Sequence, residues 1–344
     1  MKNALLWPYK FDEWEEDWAL RLRWISEALS EEGYEIFKPK QFKVDIGNTK
    51  DWNNEKFDII IYNHTDLAEI KALYPHLEAE EHTWFFKPTV PDKFTTTLDE
   101  LGYGSYSTIT YDKPPYEEAD PEKVHRFYAD TVSEWVRNND SKWGEDHFKE
   151  KLIPHKDFYL VIGQCGGDSV VTRQDFGGYF EKLERIVQEL LIVDPDREVV
   201  VKLHPYTNGP MHDPNRCSLI KPLTEKFESF SKRVKVYSDF SSIHSFLPSA
   251  RCVLVGNSGA GFEAMMHDKP IISFCFPEYH WVTYDLRKTC DLGNAIQLNW
   301  FNKDAQRRFL YWYMEKYCFY DYNSAKRRVD DLLEEEIEYR VLFS

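Results

Sequence analysis

Residues 251–276, RCVLVGNSGAGFEAMMHDKPIISFCF, constrain the fold more than any other part of the chain. A run of apolar β-forming residues leads into a turn that begins at Gly256 and ends at Gly261. The apolar residues after the turn fit a helix, and Ile271 to Phe276 fit a second strand. Because the first backbone N–H groups of a helix have no partner within it, such a turn can bind a phosphate or another anion. The stretch therefore predicts a strand–turn–helix–strand unit with an anion site at its turn.

The same order of elements recurs through the second half of the chain. Residues 158–162 predict a strand that leads into the glycine-rich segment 163–169, and residues 198–203 predict another strand. A helix with one apolar face is expected between these two strands. This alternation predicts a parallel sheet, whose ligands bind beyond the carboxyl ends of the strands. Asp168, His204 and Ser258 each follow a predicted strand, so we expect all three at one edge of the sheet.

The first half of the chain predicts a smaller open α/β sheet. Its strands are expected at residues 3–7, 34–37, 56–62, 83–86 and 105–111, with helices at 18–31 and 67–74. No GxGxxG fingerprint of dinucleotide binding occurs in it. Near the other end of the chain, residues 303–320 and 324–336 predict two closing helices. The overall expectation is an α/β protein with two Rossmann-type domains.

The length of 344 residues suits two domains. We place an N-terminal domain at residues 1–140 and a C-terminal domain at residues 157–300. Residues 301–344 are expected to form closing helices that pack back across the domains. The polar, irregular residues 137–156 are the predicted linker.

Composition excludes several classes of protein. The net charge of −16 argues against nucleic acid as a partner, because phosphate binding needs an excess of Lys and Arg. Apolar runs are far shorter than the ~20 residues that span a bilayer. The six cysteines form no CxxC pair, which favours reduced thiols and a cytoplasmic location. Aromatic residues make up 16% of the chain and serve either a core or a carbohydrate-stacking surface. The aromatic residues 309–314 likewise suit either interior packing or peripheral contact with a membrane or glycan.

Lys202, His204 and Asp168 are the candidate chemical groups of the second sheet. Lys202 alternates with His204 along a strand, so a lysine can neutralise a phosphate while a histidine donates to it. Pro205 stops strand pairing after them. Asp168 suits a nucleophile or general base at an anomeric carbon, or alternatively a carboxylate that stabilises its own turn.

Rival chemistries are weaker. Ser258 lies in a near match to the GxSxG motif of α/β-hydrolases, a fold that needs an acid and then a histidine after the serine. The last histidine of the chain, His280, with Asp268 as the nearest aspartate before it, follows Ser258 too closely to leave enough chain for that fold. Cys165 is better explained as a small packed residue than as a thiol nucleophile. Asp194-x-Asp196 stands between a helix end and a strand start, which favours a turn over a metal-binding DxD. We expect no metal site.

Three motifs in the second half recur together in one known family. They are Gln164-x-x-Gly167-Asp168, the strand end Val201-Lys202-Leu203-His204-Pro205, and Ser258-x-x-Gly261-Phe262-Glu263-Ala264 followed by Lys269-Pro270. In order and spacing the set resembles the bacterial capsule polysaccharide synthesis family. That family includes the KpsC/KpsS-like transferases of 3-deoxy-D-manno-octulosonic acid (Kdo) and the WbbB-like retaining β-Kdo transferases of lipopolysaccharide O-antigen. The resemblance covers residues 158–284.

The resemblance implies a GT-B-like glycosyltransferase that uses CMP-β-Kdo as donor and a glycan as acceptor, with no separate cofactor. It implies a nucleotide-sugar site in the C-terminal domain, an acceptor side in the N-terminal domain, and Asp168 with Gln164 as the catalytic pair. The residues it implies for the CMP phosphate and nucleotide are Lys202, His204, Pro205, Asn257, Ser258, Gly259, Gly261 and Glu263. Of these, Lys202 is implied to counter either the phosphate or the carboxylate of Kdo.

The chain departs from the family pattern at three places near these motifs. Ser169 directly follows Asp168, whereas the family places its serine two residues after the aspartate. Asp268 stands where the family has glycine, and residues 278–284 replace a segment that contains glycine and tryptophan. Two alternatives stay open. One is an inverting, sialyltransferase-like enzyme that uses another CMP- or UDP-sugar, with Asp168 as general base. The other is a glycan- or nucleotide-binding module without catalysis.

Overall fold

The computed structural model describes residues 2–7, 16–39, 56–63, 82–91, 95–141, 156–164, 178–204, 220–238, 241–289 and 291–343. The chain divides into two compact units. The first unit comprises Met1–Thr89, Lys93–Tyr111 and Tyr313–Ser344, and the second comprises Val90–Asp92 and Asp112–Trp312. None of the helices within the described ranges is long and apolar enough to cross a bilayer.

The elements alternate between strands and helices along most of the chain. The strands are β1 Lys2–Trp7, β2 Tyr34–Phe37, β3 Ile59–Tyr62, β4 His82–Pro88, β5 Thr96–Asp99, β6 Phe158–Ile162, β7 Val199–Lys202, β8 Val234–Tyr237, β9 Ala250–Val255, β10 Ile271–Ser273, β11 Tyr284–Asp285 and β12 Cys318–Phe319. The longer helices are α1 Glu16–Glu31, α2 Pro121–Phe127, α3 Ser133–Asn138, α4 Tyr179–Val193, α5 Ile220–Phe230, α6 Ala260–Met266, α7 Lys303–Trp312 and α8 Tyr322–Phe343. Single α-helical turns lie at Thr108–Tyr111, Leu286–Thr289 and Leu292–Ala295.

The first unit is built on a sheet with the strand order β12-β5-β4-β3-β1-β2. Strands β2, β1, β3 and β4 run parallel, whereas β5 and β12 join by antiparallel pairing. Helices α1 and α8 pack together beside this sheet, and their apolar faces share one core that includes Leu22, Leu29 and Val329. This unit has the open α/β sheet that the sequence predicts.

One predicted strand in the first unit is wrong. Residues 105–111, predicted as a strand, form a 3-10 turn at Gly104–Tyr106 and a helical turn at Thr108–Tyr111. The buried carboxylate of Asp99 holds this segment, because it accepts hydrogen bonds from the backbone N–H groups of Leu101, Gly102 and Thr108. The strand of this region is instead β5. The helix predicted at residues 67–74 lies outside the described residues.

The second unit is built on an entirely parallel sheet with the order β11-β10-β9-β6-β7-β8. From β6 the chain adds β7 and β8 on one side, and then β9, β10 and β11 on the other. The direction of strand addition therefore reverses between β6 and β9. In open α/β sheets this switch point forms a crevice at the carboxyl ends of the strands, where ligands bind.

The closing segment differs from the prediction of one helix over residues 303–320. Helix α7 ends at Trp312, and a π-helical turn at Tyr313–Tyr317 leads into β12, which pairs with β5. Within the predicted aromatic run, Phe309 is fully buried and packs 5.5 Å from the ring of Tyr116. Leu310, Tyr313 and Met314 are buried as well. These four residues therefore pack in the protein interior.

Candidate functional site

The candidate site lies at the switch point of the second sheet. Ile162 of β6 pairs with Lys202 of β7, and Val161 pairs with Leu254 of β9. The segments that follow these three strands therefore leave the sheet at the same level. This register puts Gln164, His204 and Ser258 at one edge of the sheet. Asp168, which the sequence predicts at the same edge, lies outside the described residues.

A hydrogen bond joins two of these segments across the switch point. The backbone N–H of Asn257 donates to Oε1 of Gln164 at 3.3 Å, and the Gln164 side chain is buried. Gly256 packs against the same side chain. A Cβ atom at Gly256 would lie 3.1 Å from Oε1 of Gln164 and 2.8 Å from Cε2 of Tyr179. Glycine is therefore required here by the closeness of its neighbours.

The turn before α6 satisfies most of its own backbone groups. Ser258 Oγ accepts from the N–H of Ala260 at 3.3 Å, and the Ser258 carbonyl accepts from the N–H of Gly261 at 3.1 Å. The N–H of Phe262 donates to the carbonyl of Gly259 at 2.9 Å. Within the described ranges, no hydrogen bond uses the N–H groups of Ser258 and Gly259. The backbone N–H groups left to bind an anion are therefore those of Ser258 and Gly259, within the turn. The sequence instead indicates the N–H groups at the start of the helix that follows.

Tyr279 supports this turn from the protein interior. Its hydroxyl donates to the Ser258 carbonyl at 2.5 Å, and its side chain is almost completely buried. A Cβ atom at Gly261 would approach Cε2 of Tyr279 to 2.6 Å, so only glycine leaves room for the ring. Burial raises the pKa of Tyr279 well above its usual range, helped by nearby negative charges that include Glu263. Tyr279 therefore stays a neutral hydrogen-bond donor.

Sequence reasoning did not identify Tyr279 as a site residue. The tyrosine lies in the segment 278–284, whose sequence departs from the family pattern. Its contact with Ser258 and Gly261 joins two separate parts of the chain. A bulky residue that follows a glycine motif by some distance is a signal too weak to find such a contact.

The second sheet also brings positive charge to this edge. Lys202 ends β7 and is buried, with Nζ 3.5 Å from the carbonyl of Leu203. The carbonyl of Lys202 accepts from the N–H of Gly163 at 2.9 Å, which ties the end of β7 to the segment after β6. His204 follows at this level and is partly exposed. The Lys202 ammonium and the His204 ring together suit a phosphate or carboxylate ligand.

The structure describes Glu263 but not every other predicted site residue. Glu263 is buried in the first turn of α6. Asp168 and Pro205 lie outside the described residues, as does Cys165. The roles that the resemblance implies for Asp168 and Pro205 therefore stay predictions.

The residues of the rival chemistries have structural roles. Asp268, the acid that a hydrolase would need, accepts from Arg307 at 2.6 Å and pairs with Lys303 at 2.8 Å. Burial opposes ionisation of Asp268, but the hydrogen bonds from these two cations outweigh it and lower the pKa of the carboxyl. Asp194 is ion-paired with Arg197 and accepts from the Tyr159 hydroxyl at 2.7 Å, as expected of a turn residue. In the described part of the chain, no three His, Cys, Asp or Glu side chains group as metal ligands would.

The backbone conformation at Asp268 bears on why the family has glycine at this position. Its backbone has a φ of +52°, in the left-handed region that glycine adopts most easily. Aspartate is among the few other residues that visit this region, at a modest cost. The paired cations Arg307 and Lys303 hold its side chain in place.

Comparisons with known proteins agree with this architecture. A family model described as capsule polysaccharide biosynthesis protein matches residues 101–320, which is more than half of the chain. The structure is similar to a Thermosulfurimonas dismutans KpsC β-Kdo 2,4 transferase, with a TM-score of 0.59, 14% identity, and 92% of each chain covered. It is also similar to a KpsC β-Kdo 2,7 transferase of the same organism, with a TM-score of 0.51, 15% identity, and coverage of 95% of this chain and 99% of the other. No curated protein sequence matches the chain significantly. The structural likeness confirms the predicted GT-B-like α/β fold.

Proposed function

Because the chain belongs to the family of capsule polysaccharide biosynthesis proteins, we propose that it is a glycosyltransferase. The proposed reaction transfers Kdo from CMP-β-Kdo to a glycan acceptor with retention, in the synthesis of a bacterial surface polysaccharide. The observation that carries the proposal is the hydrogen bond between Gln164 and Asn257. It closes the switch point of a parallel sheet at the edge where Lys202 and His204 also lie. A nucleotide sugar needs such an edge, with backbone and cationic donors for its phosphate.

Each residue of the site has a role in this proposal. The free N–H groups of Ser258 and Gly259, with Lys202 and His204, bind the CMP phosphate and stabilise the negative charge that develops as CMP leaves. Asp168, whose role comes from the family resemblance, attacks the anomeric carbon through its carboxylate. The bond from that carbon to the phosphate oxygen breaks, and a glycosyl–enzyme ester forms. An acceptor hydroxyl then displaces Asp168 and loses its proton, which restores the carboxylate.

Release of CMP from CMP-Kdo, measured with and without an oligosaccharide acceptor, tests the proposal. We expect turnover by the wild type, and a loss of about 1,000-fold or more in Asp168→Asn with CMP binding retained. The matched control is Asp196→Asn, since Asp196 is exposed in the turn after α4, and its activity should equal that of the wild type. Binding of CMP-Kdo without any turnover would instead indicate a binding module.

The stereochemistry of the product distinguishes the proposed mechanism from an inverting one. Retention and a Kdo-sized mass adduct on trapped protein are the expected results. An inverted product without an adduct would assign Asp168 as general base and reject the nucleophilic role.

A further inference from the structure

Arg287 is an exposed arginine that the structure holds in one position. Its Nε and Nη2 donate to the two carboxylate oxygens of Asp285 at 3.0 and 2.6 Å, and its guanidinium carbon lies 3.8 Å from the centre of the Phe276 ring. The Asp285 side chain is 5% exposed, whereas that of Arg287 is 32% exposed. A buried carboxylate and an aromatic face therefore fix a guanidinium that still reaches solvent.

The hydrogen bonds of Arg287 leave one side of its planar group open. Asp285 occupies the side formed by Nε and Nη2. Within the described ranges no hydrogen bond uses Nη1, so Nη1 and the second N–H of Nη2 form an open fork. Such a fork matches the two oxygens of a carboxylate or phosphate. Because its rotamer is already fixed, binding through this fork costs little side-chain entropy.

Arg287 lies at the same edge of the sheet as the candidate site. Ser273 of β10 pairs with Asp285 on one side and with Val255 of β9 on the other, so all three leave the sheet at one level. Two strand spacings separate β9 from β11, or about 10 Å. A sugar attached to a phosphate at the turn of Ser258 can bridge a distance of this order.

Cys275 lies behind the turn and within range of the charge of Arg287. Cys275 borders the turn, because its Sγ would lie 3.3 Å from a Cβ atom at Gly256. Burial raises the pKa of the Cys275 thiol to about 12, and the charges of Lys182 and Arg287 oppose that rise. The positive charge of Arg287 therefore acts on the Cys275 thiol, directly behind the turn. In a chain of net charge −16, a fixed cation at this place favours an anionic ligand.

We propose that Arg287 is the specificity-determining residue that binds the carboxylate of a sugar acid through its open fork. The assignment rests on the proposed function and names the group that separates a sugar acid such as Kdo from a neutral sugar. The carboxylate belongs either to the donor sugar or to a sugar acid at the end of the acceptor glycan. Both sources present the same planar anion to Arg287.

Substitution of Arg287 tests this assignment. Affinities for CMP and for CMP-Kdo are measured by calorimetry for the wild type, Arg287→Gln, Arg287→Lys and the control Arg185→Gln, which changes an exposed arginine on α4. In Arg287→Gln we expect CMP to bind as in the wild type, while the KM for the substrate that carries the carboxylate rises about 10- to 100-fold. Arg287→Lys should also lose most of the affinity for the substrate that carries the carboxylate. A lysine ammonium is not planar and cannot bind Asp285 and a second carboxylate in the bidentate way that a guanidinium does. A purely structural role would change both affinities together.

The two sources of the carboxylate give different results. If it belongs to the donor, the affinity for CMP-Kdo and the KM for its hydrolysis without acceptor both change. If it belongs to the acceptor, only the KM for a Kdo-terminated acceptor changes. Constants within about twofold of an active wild type in Arg287→Gln would overturn the assignment alone. A wild type that neither binds nor cleaves CMP-Kdo would overturn the proposed function and the assignment together.

Discussion

His267 should make the stability of the second unit sensitive to acid. It follows α6, and its Nε2 lies 2.8 Å from Nδ1 of His244. Nε2 of His244 lies 3.0 Å from the carbonyl oxygen of Asp140. A carbonyl only accepts, so Nε2 of His244 carries a proton and its Nδ1 accepts from His267. Burial is the main cause that lowers the pKa of His267 to about 3, and the nearby charge of Lys269 acts in the same direction.

The sign of the effect follows from the two states. An unfolded histidine has a pKa of about 6.5, so below that pH the unfolded chain binds a proton, whereas His267 in the folded protein stays neutral. The free energy of unfolding therefore falls as the pH drops from about 6.5 toward 3. Each pH unit contributes about 1.4 kcal/mol, which gives about 2 kcal/mol between pH 7 and pH 5. This is a large part of the 5–15 kcal/mol typical of a folded protein.

The variant His267→Gln isolates this contribution. The glutamine amide can still donate to Nδ1 of His244 but does not titrate. We expect the difference in free energy of unfolding between variant and wild type to shift by about 2 kcal/mol in favour of the variant from pH 7 to pH 5. Urea unfolding followed by tryptophan fluorescence at a series of pH values measures it. His125→Gln, which changes an exposed histidine on α2, is the control and should keep the wild-type pH dependence. Parallel pH curves for His267→Gln and the wild type would refute the reasoning.

Two further substitutions test the packing of each unit. Gly261→Ala places a methyl group against the ring of Tyr279 and should cost about 1–3 kcal/mol of stability and weaken CMP binding. Gly293→Ala is its control, because the nearest atom to an added Cβ there lies at 3.4 Å, an ordinary contact. Asp99→Asn removes a buried carboxylate that also accepts from the Tyr317 hydroxyl at 2.6 Å, and should cost about 2–4 kcal/mol in urea unfolding. Asp112→Asn, at an exposed position, should stay within about 0.5 kcal/mol of the wild type, and equal losses in the two Asp variants would contradict this role of Asp99.

The central strands of the second sheet could be predicted from the sequence because β6, β7 and β9 contain short buried apolar runs. The strand predicted at residues 158–162 matches β6 at both ends, and the one predicted at residues 198–203 contains β7. Parallel connectivity then fixes which loops meet at one edge, so the shared edge of His204 and Ser258 also follows from order alone. What decides these predictions is local pattern and chain direction, and both are present in the sequence.

The rest of the fold depends on contacts between distant residues. β5 has the sequence TTLD, whose polarity hides a buried strand, and its partner β12 is only two residues long and more than 200 residues away along the chain. The contact of Tyr279 with Gly261 is invisible for the same reason. Local pattern also places the free donors at the helix start, whereas Ser258 uses its own hydroxyl and carbonyl to satisfy that start.

Gly256 and Gly261, at the two ends of the turn before α6, are best explained by the tyrosine rings that pack against them. Tyr179 packs on Gly256 and donates to the carbonyl of Ile162 at 3.2 Å, while Tyr279 packs on Gly261 and donates to the carbonyl of Ser258. Two buried rings therefore hold the turn from the interior, and neither end can carry a side chain. A turn held in this way keeps the N–H groups of Ser258 and Gly259 oriented before a ligand arrives. Binding then costs little ordering of the loop, which is the condition for a small set of hydrogen bonds to hold a phosphate tightly.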